Sequence, residues 1–277
     1  MSIIRHRIKE IENITPWGNT ESGYFLHWFG LTDSHYWISF GQNELLRYSD
    51  DFIKKYKMDA TFPYVNYQFA RIYDDFFSIL DKVIVPIPFN VFSYIDNMEK
   101  FDVFRKSLYL WINNVWNEED EQYDEIYAPA RDWVHSRRLD SGYLVGAPDI
   151  YFFASDGKVY IRWYCDYKDQ EGIAMWKELK GEYVMNYSIF IDEVKQSFEL
   201  FWNSMDERVE EVLSNWSRDN IHIDKKLLLK NHNELKSVYQ SSIKYIFSSE
   251  FASSISYKTD YWDNIENKIK LILKSTK

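Results

Sequence analysis

The topology of this chain is determined by residues 136–163, which read SRRLDSGYLVGAPDIYFFASDGKVYIRW. In the second half of this segment, two runs of aromatic and β-branched residues flank the polar residues 155–158. Successive side chains of a strand point to opposite faces, and Gly157 can adopt the positive φ that a two-residue turn requires. The pattern therefore predicts a β-hairpin, around which the remaining elements pack.

Shorter strand patterns occur on both sides of the hairpin. Residues 3–11 alternate in the manner of a first strand, and residues 24–49 contain three apolar runs separated by turn residues. These three runs predict an antiparallel meander. After the hairpin, residues 173–179 and 183–185 predict two further short strands.

Apolar residues recur every three or four positions over four long segments of the chain, which is the period of an amphipathic helix. The four predicted helices cover residues 64–83, 97–116, 119–137 and 188–216. The tail continues the same period and predicts further helices.

Strands and helices in this order predict an α+β fold, in which antiparallel sheets are covered by amphipathic helices. We expect a main α+β domain at residues 1–217. Residues 218–277 are expected to form a C-terminal helical appendage that packs on the main domain.

The composition indicates the compartment. The chain of 277 residues holds a single cysteine, Cys165, so an internal disulfide is excluded and a reducing compartment is favoured. No run approaches the roughly 18 apolar residues that a membrane helix requires, and the basic start of the chain is not followed by an apolar signal segment. We therefore expect a cytoplasmic protein that does not enter a membrane.

The charge distribution bears on the class of partner. The net charge is −10, and it is uneven: residues 218–277 hold 11 Lys or Arg against 7 Asp or Glu, whereas the rest holds 22 against 36. An acidic body repels nucleic acid and attracts a basic protein. Docking of the basic tail onto the acidic body is the alternative interpretation.

The acidic segment NEEDEQYDE, residues 117–125, is the first candidate for a binding surface. Its six carboxylates belong to Glu118, Glu119, Asp120, Glu121, Asp124 and Glu125. Such a segment can imitate phosphates and occupy the basic active site of a toxin. More often, however, a segment of this kind forms a solvated face with no partner.

A second candidate is the polar group that precedes the hairpin. It consists of Arg137, Arg138, Asp140 and Asp149. These side chains can bind an anionic ligand, or perform acid–base chemistry with His135. They can also form an ion-pair network that joins a helix end to the hairpin, and we favour this interpretation.

The third candidate is a metal-type group made of His27, Asp33 and His35. Two histidines and a carboxylate are a known ligand set, but no HxH or HExxH spacing is present. The alternative is an aspartate that bonds to its own turn, beside two histidines in an aromatic sheet. No catalytic nucleophile pattern, phosphate loop or dinucleotide fingerprint occurs, so we predict no cofactor, no metal and no catalytic residue.

Three stretches carry a resemblance to a known family. They are LHWFGLTDSHYWI at residues 26–38, LDSGYLVGAPDIYF at residues 139–152 and MDERVEEV at residues 205–212, here called the first, second and third motifs. On these motifs the chain resembles, from end to end, an uncharacterised bacterial family, a domain of unknown function. Beyond about residue 220 the similarity is one of helical character alone. The resemblance implies no catalytic residue, and an immunity role against toxins rests on analogy.

These observations favour a binding protein of immunity or toxin-neutralising type, which acts by occlusion of a basic partner. The alternative is an enzyme or small-ligand-binding domain. Its pocket would be lined by His27, Asp33, Arg137, Arg138, Asp140 and Asp149.

Overall fold

The structure, a computed structural model, describes residues 2–114, 123–254 and 259–275. Its strands are β1 Ile4–Ile8, β2 Trp17–Asn19, β3 Gly23–Phe25, β4 Asp33–Phe40, β5 Asn43–Leu45, β6 Val65–Gln68, β7 Arg138–Leu139, β8 Asp149–Ser155, β9 Lys158–Tyr164, β10 Lys180–Asn186 and β11 Ile221–His222. Its α-helices are α1 Asp50–Tyr56, α2 Phe69–Val83, α3 Phe89–Phe92, α4 Met98–Asn114, α5 Ala128–His135, α6 Tyr187–Asn215, α7 Lys225–Ile246, α8 Ser249–Ser254 and α9 Thr259–Ser275. A π-helical turn, Tyr123–Tyr127, precedes α5. The predicted α+β class is confirmed.

The predicted hairpin forms the centre of one of the two four-stranded sheets in the described part of the chain. Strands β8 and β9 pair antiparallel from Asp149↔Tyr164 to Ser155↔Lys158, and the sheet has the order β10-β9-β8-β7. The two turn residues, Asp156 and Gly157, both have positive φ, at 49° and 67°. This is the turn geometry that matches the twist of the flanking strands, so the local sequence sets the register of the hairpin.

Both faces of the hairpin are buried. On one face Ile150, Phe152 and Ile161 belong to a core shared with α2, α6 and the sheet around β4. On the other face Tyr151 and Phe153 belong to a second core, built with α3, α4, α5 and α9. Because strand residues alternate between faces, burial on two sides explains why the consecutive residues Ile150–Ala154 of β8 are all apolar or aromatic.

A buried arginine joins the hairpin to its neighbours. Arg162 on β9 is 0% exposed, and its Nε lies 2.5 Å from Oε2 of Glu182 on β10. Its Nη1 donates to the backbone carbonyl of Ile95, in the segment before α4. A buried charge is costly unless it is paired and hydrogen-bonded, so these contacts fix the start of α4 against the sheet.

The predicted three-stranded meander at residues 24–49 is wrong in part. Strand β4 does pair with β5, but its other partners are β1 and β6. The run at residues 24–29 does not pair with β4, because β3 ends at Phe25 and belongs to a different sheet. Residues 30–32 form a 3-10 turn, in which Thr32 Oγ1 donates to the carbonyl of Phe29. This turn directs Leu26 and Trp28 into the core, so burial outweighs the strand propensity of the run.

Two further boundaries differ from the predicted ones. Helix α2 begins at Phe69, because residues 65–68 pair with β4 as strand β6. The predicted strand at residues 173–179 makes only bridge contacts, Tyr48↔Trp176 and Lys168↔Ala174, and the regular strand is β10. Part of the helix predicted at 119–137 lies outside the described residues, and its described part consists of the π-helical turn and α5.

The C-terminal segment contacts both cores. Strand β11 pairs parallel with β3, α7 packs on α6, and α9 packs on α4 and α5. The boundary between residues 217 and 218 stays a prediction. Among residues 2–114, 123–254 and 259–275, no helix has both the length and the apolar composition that crossing a membrane requires.

The loop between β7 and β8 generates a test of packing. Gly146 has φ +57°, and a Cβ added there would lie 2.1 Å from Cγ of Tyr167. Its carbonyl accepts a 2.5 Å hydrogen bond from Trp176 Nε1. We expect Gly146→Ala to lower the free energy of unfolding, measured by urea denaturation, by about 3 kcal/mol, since backbone strain and overpacking add.

Gly157 provides the matched control for this substitution. It also has a positive φ, of +67°, but an added Cβ would meet nothing within 4 Å. Gly157→Ala should therefore cost about 1 kcal/mol, from the backbone alone. Equal losses in the two variants would show that the contact with Tyr167 is not a packing constraint.

Candidate functional site

Helix α4 exposes three large apolar side chains to solvent. Its outward side chains, here called the α4 outer face, are Val103, Lys106, Tyr109, Leu110 and Asn113. Tyr109 is 68% exposed, Val103 is 52% exposed and Leu110 is 40% exposed. The opposite side of the helix fills the second core with Phe101, Phe104, Leu108 and Trp111. The exposure of the α4 outer face is therefore fixed by the burial of the other side.

The described part of the acidic segment lies beside the C-terminal end of α4. Asp124 and Glu125 are exposed in the π-helical turn. The turn is held in place by Tyr127, which is buried and stacks on Trp111 of α4 with ring centroids 5.1 Å apart. Glu118, Glu119, Asp120 and Glu121 lie outside the described residues. In the described part of the chain, neither Asp124 nor Glu125 has a cationic side chain within ion-pair distance.

The polar group before the hairpin has three separate local roles. Arg138 and Asp149 form a half-buried ion pair, with Nη1 and Oδ1 2.7 Å apart. Arg137 is 1% exposed, and its Nη1 donates to the carbonyl of Trp133 at the end of α5. Asp140 faces solvent and accepts a 3.0 Å hydrogen bond from the backbone N–H of Gly142. The contacts tie the end of α5 to the start of the sheet.

The three members of the metal-type group have different neighbours. The ring of His27 packs edge-on against Trp17 at 4.4 Å, and burial lowers the pKa of His27. Asp33 pairs with Lys9 at 2.9 Å, and His35 packs against Phe62. Within residues 2–114, 123–254 and 259–275, no group of three His, Cys, Asp or Glu side chains is arranged to hold a metal ion.

A partly buried polar cluster joins the first motif to the second. The hydroxyl of Tyr36, from the first motif, is 2.9 Å from that of Tyr143, from the second. The guanidinium of Arg71 lies 5.4 Å from the centroid of the Tyr143 ring, and its Nε is 3.3 Å from Oδ2 of Asp75. Burial raises the pKa of Asp75 to about 7, against the effect of Arg71 and with a further increase from nearby Asp140.

A second polar chain joins the first motif to the third. Trp28 Nε1 donates to His232 Nδ1 at 3.2 Å, and His232 Nε2 lies 2.8 Å from Oδ1 of Asp206. Because Nδ1 accepts the indole proton, the imidazole carries its own proton on Nε2 and donates it to the carboxylate. Lys236 contacts the same carboxylate at 2.6 Å. Burial opposes ionisation of Asp206, but the hydrogen bonds from Lys236 and His232 lower its pKa.

Sequence reasoning missed both polar connections, although signals for them were present. Tyr36, Tyr143 and Asp206 all lie inside the three motifs. Asp75 is a carboxylate on the apolar stripe of α2, where a polar residue breaks the pattern. His232 carries no such signal, because its partners are distant in sequence.

The cluster around Asp75 generates a prediction about pH. The folded state holds the Asp75 proton more tightly than the unfolded chain, so its stabilising contribution is complete below pH 3.8 and is lost as pH rises through about 7. Asp75→Asn removes this titration. Between about pH 5 and about pH 8, we expect the wild-type protein to lose about 2 kcal/mol more free energy of unfolding than the variant, measured by urea denaturation.

Asp81, on the same helix, is the control position. Its side chain is 35% exposed and pairs with Lys82, so Asp81→Asn should leave the pH dependence of the wild-type protein unchanged. A wild-type protein whose stability follows the same pH curve as Asp75→Asn would contradict the assignment.

The comparisons with known proteins identify a family whose function is unknown. A model of a family of unknown function, DUF5984, matches residues 3–268. Comparison with curated proteins and with solved structures finds no match. The matched region contains all three motifs and both polar connections between them. Because the match extends over nearly the whole chain, the chain belongs to the family of unknown function DUF5984.

Proposed function

We propose that this protein binds a basic protein partner and neutralises it by occlusion, as an immunity protein does to a toxin. The proposed docking surface consists of the α4 outer face and the acidic segment, of which the structure describes the carboxylates Asp124 and Glu125. A location in the cytoplasm is part of the proposal, because it agrees with the single cysteine. No chemistry on the partner is required.

The exposed apolar side chains of α4 are the observation that carries the proposal. Exposed aromatic and aliphatic side chains on one helix face leave apolar surface in water, which a partner can cover. Tyr109, at 68% exposure, supplies a ring of the type that dominates protein interfaces. Leu110 and Val103 extend the same patch along the helix.

The carboxylates that follow α4 in the sequence select a partner of positive charge. Six acidic side chains follow α4 within residues 118–125, and the described pair Asp124 and Glu125 is exposed. Clustered carboxylates accelerate the approach of a cationic protein and repel anionic ones. An apolar patch beside an acidic segment therefore fits a partner with a basic site.

The alternative is an enzyme or ligand-binding site near His27, Asp33 and the polar group before the hairpin. Such a site requires these side chains to converge on one cavity. In the structure Asp33 is paired with Lys9, and Arg138 is paired with Asp149. This geometry supports the binding protein over the alternative.

The experiment is affinity capture from the native cytoplasm with the purified full chain as bait. We expect a protein rich in Lys and Arg to be retained at about 50 mM NaCl and released by about 500 mM, because salt screens exposed charges. The double variant Tyr109→Ser/Leu110→Ser should weaken its binding at least about tenfold, since interface energy is concentrated in a few apolar anchors. Asp124→Asn/Glu125→Gln should mainly slow association.

Tyr245→Ser is the matched control, since Tyr245 is a 46% exposed aromatic residue on α7, a helix that packs on α6. It should leave capture unchanged. Surface plasmon resonance with the captured protein gives the rate constants. Equal affinity of the wild-type chain and the α4 double variant, or capture of no basic protein, would refute the proposal.

A further inference from the structure

A long groove runs along one side of helix α6. One part, with a volume of about 510 Å³, lies between α6 and α7. A second part, of about 370 Å³, lies between α6, α8 and residues 84–86. The two parts share Lys195 and Phe247, so they adjoin, and we call them together the α6 groove.

The first part of the α6 groove combines aromatic rings with lysines. Trp202 and Tyr239 pack edge to face at its base, with ring centroids 5.5 Å apart. Three lysines line it: Lys195, Lys236 and Lys244. The lining of this part includes a single carboxylate, that of Glu199. The local charge is therefore positive, although the chain as a whole has a net charge of −10.

Two of the three lysines are not neutralised by an ion pair. Lys236 is paired with Asp206 at 2.6 Å. Lys195 Nζ lies 5.2 Å from the centroid of the Phe247 ring, and in the described part of the chain neither Lys195 nor Lys244 has a carboxylate within ion-pair distance. Both ammonium groups can therefore accept an anion without breaking an existing pair.

The second part of the groove is apolar. Its lining includes Ile84, Pro86, Ile191, Ile246 and Ala252. On α6 the whole groove extends from Tyr187 to Asn203, which at the rise of an α-helix is about 24 Å. The groove thus has a cationic half and an apolar half in one line.

We propose that the α6 groove binds a single anionic amphiphile, a carboxylate that carries an unbranched acyl chain. The carboxylate lies between Lys195 and Lys244, and the chain extends past Phe247 into the apolar part. The volumes of both parts are in the range of small-ligand sites. This site is independent of the proposed docking surface on α4.

Isothermal titration calorimetry of the full chain tests the proposal, with dodecanoate, dodecanol and acetate as probes. We expect dodecanoate to bind, dodecanol to bind about tenfold more weakly because it lacks the charge, and acetate not to bind because it lacks the chain. Equal binding of dodecanol and dodecanoate, or no binding of dodecanoate, would overturn the proposal.

Variants locate the two halves of the ligand. Lys195→Gln/Lys244→Gln should weaken dodecanoate binding about tenfold, since two exposed charge-assisted contacts are lost. The control Lys168→Gln/Lys226→Gln removes the same charge from exposed lysines that do not line the groove, and it should bind as the wild-type chain does. Ala252→Trp, which fills the apolar part at an exposed position, should also weaken binding.

Cosedimentation separates a single amphiphile from a membrane surface. Vesicles of phosphatidylglycerol and phosphatidylcholine present anionic head groups and acyl chains as a bilayer. We expect the chain to stay in the supernatant. Sedimentation with these vesicles without binding of dodecanoate would overturn the proposal in favour of a surface site, and equal binding by the lysine variant and its control would overturn it altogether.

Discussion

The burial of the β8–β9 hairpin on both faces is the constraint on which the rest of the structure depends. A strand pair with apolar side chains on two sides is stable only if another layer covers each side. One side is covered by α2 and α6 with the sheet around β4, and the other by α3, α4, α5 and α9. The chain therefore builds two cores that share one sheet, and the fully buried Arg162 lies at that sheet with its charge paired to Glu182.

This arrangement explains where exposed apolar surface remains. Helix α4 is held by the second core on one side, and no described element covers the side that bears Tyr109 and Leu110. Helix α6 is held by the first core, and α7 covers it incompletely, which leaves the α6 groove. The two proposed binding surfaces lie on helices that pack on different cores.

The hairpin and the long helices were predictable because their signals are local. Asp156 and Gly157 define a turn within two residues, and the stripe of α6 repeats over eight turns of helix. The prediction of a meander was wrong because the run at residues 24–29 has the composition of a strand, whereas Leu26 and Trp28 are buried in the core against residues distant in sequence. The sequence alone cannot weigh local propensity against packing of that kind.

The candidate sites also divide into those formed by residues close in sequence and those formed by residues far apart. Asp124 and Glu125 are exposed, as charged side chains in an acidic segment are expected to be. The ion pair of Arg138 with Asp149 connects residues that are only eleven positions apart in the sequence. The contact of Tyr36 with Tyr143 spans 107 positions, and that of Trp28 with His232 spans 204. The α6 groove likewise requires Lys195 and Phe247 to meet. No local period encodes such pairs, so tertiary structure was needed to find them.

The parallel pairing of β11 with β3 has a consequence for synthesis of the chain. The register partners Tyr24 and Ile221 are 197 positions apart in the chain, so β3 leaves the ribosome long before β11 exists. At the usual elongation rates, roughly 10 to 40 s separate the two events. During that interval one edge of β3 is open to other nascent chains, and a chaperone that shields the N-terminal third would raise the yield of native protein.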